Sequence, residues 1–170
     1  MRGDGMILTA RAERDAASLR ILVAEDSPVN QFLLLTILEA AGCQVHVAGD
    51  GKAVMELILS HEYDLILMDQ QMPGMDGPQT VAAIRQLDMK VASVPIIAVS
   101  TDLDECGQFR ADVDDFVAKP FDPMQLFDAI SRVTGFMPSP PALADIVAGL
   151  AVIRGPGPSV APVAVNPALY

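Results

Sequence analysis

Five short apolar runs punctuate the chain, and each ends at polar residues followed by a stretch of different period. Ile21-Leu22-Val23-Ala24, Leu65-Ile66-Leu67-Met68 and Ile96-Ile97-Ala98-Val99 are continuous apolar runs. Such runs suit strands buried on both faces. Residues 43–48 alternate instead, as an edge strand with one solvated side does, and 114–118 form a short fifth run. Between them the period lengthens. Leu34, Ile37, Leu38 and Ala41 form one helical stripe flanked by Asn30 and Leu33, opened by Ser27-Pro28 and stopped at Gly42. Phe32 and Leu35 fall off that stripe and are expected at the surface. Further helices are expected over 52–60 (Val54, Leu57 and Ile58 inward), over 77–88 (Val81, Ile84 and Leu87 inward) and over 123–133 (Leu126, Phe127 and Ile130 inward). Residues 102–112 leave room for only about two helical turns.

Strands alternating with helices five times predict an α/β fold, a doubly wound parallel sheet covered by helices on both faces. Right-handed crossovers then bring the C-terminal end of every strand to one rim.

At 170 residues the chain suits one domain with extensions. Residues 1–18 read as a polar N-terminal arm and 19–136 as the domain. Residues 137–170, rich in Pro and Ala, read as a disordered tail, although a short helix over 142–153 is a minor alternative. The net charge of −11 and pI near 4.3 argue against nucleic-acid or anionic-membrane partners and suit a cation site. No apolar stretch approaches the roughly 18 residues of a membrane span, and no secretory leader is evident. Two cysteines, Cys43 and Cys106, are too few for a disulfide framework and read as reduced packing residues in a cytoplasmic protein. His46 and His61 read as separate surface residues with no metal-ligand spacing.

Glu25, Asp26, Asp69, Ser100 and Lys119 each lie at the end of a predicted strand, so all five converge on the rim. A lone Asp69 could be a turn cap. Three convergent carboxylates, however, repel one another unless a cation joins them, and hard oxygen ligands favour Mg²⁺. With a hydroxyl and an ammonium opposite, the set suits phosphoryl transfer: a carboxylate nucleophile, a bridging metal, and Ser and Lys to hold the remaining oxygens.

Over residues 20–135 the sequence resembles the receiver domain of two-component response regulators. The matching pieces are Ile21-Leu22-Val23-Ala24-Glu25-Asp26, Leu67-Met68-Asp69-Gln70-Gln71-Met72-Pro73-Gly74-Met75-Asp76-Gly77, Val99-Ser100 and Lys119-Pro120-Phe121. The resemblance implies a flavodoxin-like (βα)5 fold with strand order 2-1-3-4-5. It implies Asp69 as phosphoacceptor, and Mg²⁺ held by Glu25, Asp26, Asp69 and the backbone carbonyl of Gln71. It makes Ser100 the switch hydroxyl, Lys119 the phosphoryl contact, Phe116 the aromatic that changes rotamer, and the Lys119–Pro120 bond cis. Ser27-Pro28-Val29-Asn30-Gln31 is closest to receivers attached to hybrid histidine kinases. That implies a histidine kinase or histidine-phosphotransfer protein as partner, docking at Phe32 and Leu35, in a stand-alone receiver that binds an unidentified downstream protein.

The sequence departs from the family in three places. Ser100 replaces the commoner threonine, and Thr101 stands where a smaller residue is usual, which would narrow access. The segment before Lys119 is short, with Asp112 at a frequent glycine position, so the fourth helix is expected to be shortened. The leading expectation is a phosphoacceptor switch with no further catalysis. A receiver-fold binding module acting without phosphorylation is the alternative. A flavodoxin is disfavoured because Glu25-Asp26 would repel a phosphate after the first strand, and an aspartyl phosphatase because Gln71 stands in place of the acid.

Overall fold

The computed structural model describes residues 18–101 and 109–154. Five strands, β1 (Arg20–Ala24), β2 (Gln44–Ala48), β3 (Leu65–Asp69), β4 (Ile96–Ser100) and β5 (Asp115–Ala118), form one parallel sheet in the order β2-β1-β3-β4-β5. The register sets Ala24 against Met68, Asp69 against Val99, and Ser100 against Ala118, so the strand ends align along one edge. Helices α1 (Pro28–Ala40), α2 (Gly51–Ser60), α3 (Gly77–Arg85), α4 (Met89–Ala92), α5 (Phe109–Asp112), α6 (Pro123–Thr134) and α7 (Pro140–Arg154) complete the described chain.

The two-residue period of the strands divides the core in two. Ile21, Val23, Leu65, Leu67, Ile97, Val99 and Val117 pack with Leu34, Ile37 and Leu38 of α1 and Leu126, Phe127 and Ile130 of α6. Leu22, Ala24, Ile66, Met68, Ile96 and Ala98 face the other way, toward Val54 and Ile58 of α2 and Val81 and Ile84 of α3. Both faces of β1, β3 and β4 are therefore dry, which is why those strands are unbroken apolar runs. The edge strand β2 alternates, as expected: Gln44 and His46 are exposed, Val45 and Val47 half-buried.

Several elements differ from their sequence signals. The expected single helix over 77–88 ends at Arg85, and Asp88 caps a separate turn by accepting from the N–H groups of Lys90 and Val91. Arg85 ties the ends together. Its Nη1 donates to the carbonyls of Ala92 (2.6 Å) and Val94 (2.8 Å), its Nε to that of Asp112 (3.0 Å), and its Nη2 to the Asp114 carboxylate (2.9 Å). Ser27 occupies the N-cap of α1 but makes no side-chain cap bond. Gly135 ends α6 in the left-handed conformation (φ 75°) that glycine adopts without steric cost. Between β4 and β5 the described residues hold only the four-residue α5, and residues 102–108 of the expected short helical segment lie outside the described residues.

The expectation of a disordered tail is corrected over Pro140–Arg154, which is helical. Leu143 and Ile146, three residues apart and so on one side of α7, pack onto the α1/α6 core, and Ile146 is only 6% exposed. A helix this short is marginal alone, and tertiary packing supplies what its own hydrogen bonds do not. His46 and His61 are corrected too. Although distant in sequence, their ring centres lie 5.1 Å apart, and His46 Nδ1 is 2.8 Å from the Tyr63 hydroxyl. Both remain exposed. Cys43 is buried, and burial pushes its thiol up to about 11, so it is a packing residue; Cys106 lies outside the described residues. Among the described residues no helix is long and apolar enough to cross a membrane.

Candidate functional site

A cleft of about 250 Å³ opens where β1, β3, β4 and β5 end, lined by Glu25, Asp26, Asp69, Ser100 and Lys119 together with Ser27, Asn30, Gln70, Gln71 and Thr101. All five rim residues anticipated from the strand ends thus meet in one place. This is the crevice beyond the carboxyl ends of the strands at which doubly wound sheets carry their chemistry.

Each side chain is held by local structure. Asp69 closes β3 and is 5% exposed. Its Oδ1 accepts from the Gln71 N–H (3.2 Å) and its Oδ2 from Lys119 Nζ (2.7 Å). The loop behind it folds back only because residue 77 is glycine: a Cβ there would stand 2.2 Å from the Asp69 carbonyl oxygen. Asp76 then starts α3 in a reciprocal capping box with Gln79. Glu25 is 1% exposed. Its Oε1 accepts from the Ser27 N–H and Asn30 Nδ2, both at 3.1 Å, while Gln31 Nε2 donates to its backbone carbonyl at 2.7 Å. The first turn of α1 therefore orients Glu25. Asp26 is exposed at the mouth. Ser100, at the end of β4, is 3% exposed, and its hydroxyl donates to Gln70 Oε1. Lys119 follows β5, and the Lys119–Pro120 bond is cis.

The electrostatics are those of a site short of positive charge. Lys119 Nζ lies 2.7 Å from both Asp69 Oδ2 and Glu25 Oε2. The Glu25 contact is an ion pair outside hydrogen-bonding geometry, so the buried Oε2 has no hydrogen-bond partner. Burial raises the Asp69 pKa, and the nearby Glu25 charge adds to it; the bond and charge of Lys119 pull the other way without cancelling them. Burial lowers that of Lys119, but its contacts with Asp69 and Glu25 outweigh burial and leave the ammonium above its ordinary range. One ammonium faces three carboxylates. Glu25, Asp26 and Asp69 offer ligand oxygens within 4.8 Å of one another, and Glu25 Oε2, held by the Lys119 ion pair but by no hydrogen bond, has lone pairs left for a cation. An all-oxygen set with room for water fits Mg²⁺.

The remaining anticipated residues are less uniform. Phe116 is half-buried against the α2/α3 core, with the Arg110 guanidinium 5.1 Å from its ring centre. Phe32 is 70% exposed as expected, whereas Leu35 is half-buried. Val29, one turn earlier than Phe32, is 75% exposed and was not anticipated. Asn30, Gln31 and Gln70 were missed as site residues. For Asn30 and Gln31 the available signal was their spacing five and six residues beyond Glu25, where the first turn of α1 passes back over it.

Comparison with known proteins places this geometry. The family model described as the response regulator receiver domain matches residues 21–131. The sensor protein GacS of Pseudomonas syringae pv. syringae is 34% identical over 128 residues, covering 72% of this chain and 14% of that protein. Hybrid signal transduction histidine kinase I of Dictyostelium discoideum is 37% identical over 123 residues, covering 66% of this chain and 7% of that protein. The chain thus spans a small part of the curated relatives it matches. Among solved structures, the receiver domain of sensor histidine kinase PA1611 from Pseudomonas aeruginosa superimposes with a TM-score of 0.66 at 32% identity. That match covers 71% of this chain and all of that one, and that structure has a magnesium ion coordinated in its active-site cleft. The chemotaxis response regulator CheY4 of Vibrio cholerae gives a TM-score of 0.64 at 28% identity, covering 68% of this chain and 98% of that one.

Proposed function

The chain belongs to the response regulator receiver domain family of two-component signalling, and from that premise we propose that it is a phosphoacceptor switch with Asp69 as the acceptor. The observation that carries this reading is the cluster itself: three carboxylates within reach of one ion, a lysine bridging two of them, and a buried hydroxyl on the same cleft.

In this reading Glu25, Asp26, Asp69 and the Gln71 carbonyl hold Mg²⁺, which when bound neutralises charge on the transferring phosphoryl oxygens. A carboxylate oxygen of Asp69 attacks the phosphorus of a phosphohistidine. The new O–P bond forms as the P–N bond breaks, and the leaving imidazole takes up a proton from solvent. Lys119 is already hydrogen-bonded to the nucleophile, so a short movement brings its ammonium to a phosphoryl oxygen. Ser100 supplies a hydroxyl donor, and Phe116 shifts with it. The donor is a histidine kinase or histidine-phosphotransfer protein. Its approach runs along the N-terminal half of α1, where exposed Phe32 and half-buried Leu35 supply apolar contact. The protein then acts in the cytoplasm through altered binding of a downstream partner, as a signalling switch rather than an enzyme that releases a product.

The test is covalent labelling of the purified chain by acetyl phosphate with Mg²⁺. One alkali- and hydroxylamine-labile phosphoryl group per chain is expected, dependent on Mg²⁺ and absent in Asp69→Asn. A folded parent chain that stays unlabelled overturns the reading.

A further inference from the structure

Gln70 follows the acceptor directly, and its backbone is pinned on both sides. Its N–H donates to the Val99 carbonyl (3.2 Å), and its own carbonyl accepts from the Gly77 N–H (3.1 Å). The side chain is thereby set across from the end of β4, where Gln70 Oε1 accepts the hydrogen of the Ser100 hydroxyl. Both residues line the cleft.

A serine hydroxyl has one hydrogen to give. Ser100 cannot donate it to Gln70 and to a phosphoryl oxygen at once. We propose that Gln70 is a positioning residue that holds the Ser100 hydroxyl in the unphosphorylated arrangement and competes with the phosphoryl group for its hydrogen. The inference rests on the receiver reading and concerns how readily the switch is thrown. Among the described residues the side-chain bond of Gln70 is to Ser100, and a Ser100→Ala background tests whether its effect runs through that hydroxyl.

The test is titration of the full chain with beryllofluoride, a phosphoryl mimic, in saturating Mg²⁺, followed by calorimetry or NMR. Gln70→Met keeps length and neutrality but removes the acceptor, and Gln70→Leu serves as a second apolar variant should Met pack poorly. Beryllofluoride is expected to bind roughly 3- to 10-fold more tightly to Gln70→Met, the size of one hydrogen bond relieved. Affinity for Mg²⁺ alone should be unchanged, which separates this role from general disturbance of the cleft. In a Ser100→Ala background the Gln70→Met gain should vanish. Unchanged or weaker binding in Gln70→Met, or an equal gain without Ser100, overturns the proposal. A parent chain that binds no beryllofluoride at all overturns the receiver reading itself.

Discussion

Leu67 and Asp69 stand two residues apart on β3, in step with each other, and both are almost inaccessible to water. Leu67 sits inside the apolar cluster between the sheet and α1 and α6 and is 1% exposed. Around Asp69 the burial is the same, but the neighbours are Glu25, Ser100 and Lys119, and the carboxylate is held above its ordinary pKa range. The middle of the sheet is where burial and residue type agree, and the strand ends are where they conflict. Such conflict is a cost to the fold, of the kind that is tolerated at functional sites.

The comparison can be broken most forcefully from the interior. Leu67→Ala removes a side chain that is 1% exposed and leaves a cavity that the sheet cannot close, at about 3–5 kcal/mol. Urea unfolding should show that loss, while Mg²⁺-dependent labelling of the fraction that remains folded persists. A loss below about 1 kcal/mol would mean that the interior is not packed as described.

A smaller effect belongs to α7, which joins the same apolar core from outside the expected domain boundary. Ile146→Ala should cost about 2 kcal/mol, near the lower end for a buried aliphatic truncation, because the site lies at the margin of the core. A chain cut after Phe136 should lose stability to a comparable degree yet still take phosphoryl groups from acetyl phosphate, since none of the described α7 side chains lines the cleft. Labelling lost from a folded truncated chain would tie α7 to the chemistry.

The same contrast explains what could be read in advance. Strands buried on both faces are apolar without interruption, so β1, β3 and β4 announced themselves, and a parallel sheet sends their ends to one rim. Glu25, Asp69, Ser100 and Lys119 followed from that geometry together with their chemical types. What escaped depends on partners far along the chain. α7 is apolar around most of its circumference, interrupted by Asp145, so its sequence marks no sharp face, and packing on the α1/α6 core selects Leu143 and Ile146. Arg85 looks like an ordinary last-turn arginine until Ala92, Val94, Asp112 and Asp114 converge on it. The meeting of His46, His61 and Tyr63 requires β2 and the end of α2 to lie side by side. The Gln70 contact with Ser100 crosses from β3 to β4, a pairing whose register the sequence does not state.

The smallest expected effect bears most directly on the rim. Burial, and after it the charge of Glu25, raises the Asp69 pKa in the folded chain despite Lys119. Ionised Asp69 therefore lowers stability at every pH above its folded-state pKa, and that cost disappears below its unfolded value, where both states hold the proton. Asp69→Asn removes the titration and keeps the shape, while Lys119 retains Glu25 as its ion-pair partner. In buffer free of divalent cations the variant should melt above the parent at neutral pH. The gain should shrink as pH falls through the raised Asp69 pKa and be absent below the ordinary carboxylate range. Mg²⁺ should close the gap from the other side, because an ion bound only by the folded parent stabilises it by mass action. A variant that melts below the parent at neutral pH, or a gain that grows on acidification, would show that Lys119 already satisfies the rim and that no electrostatic conflict is stored there.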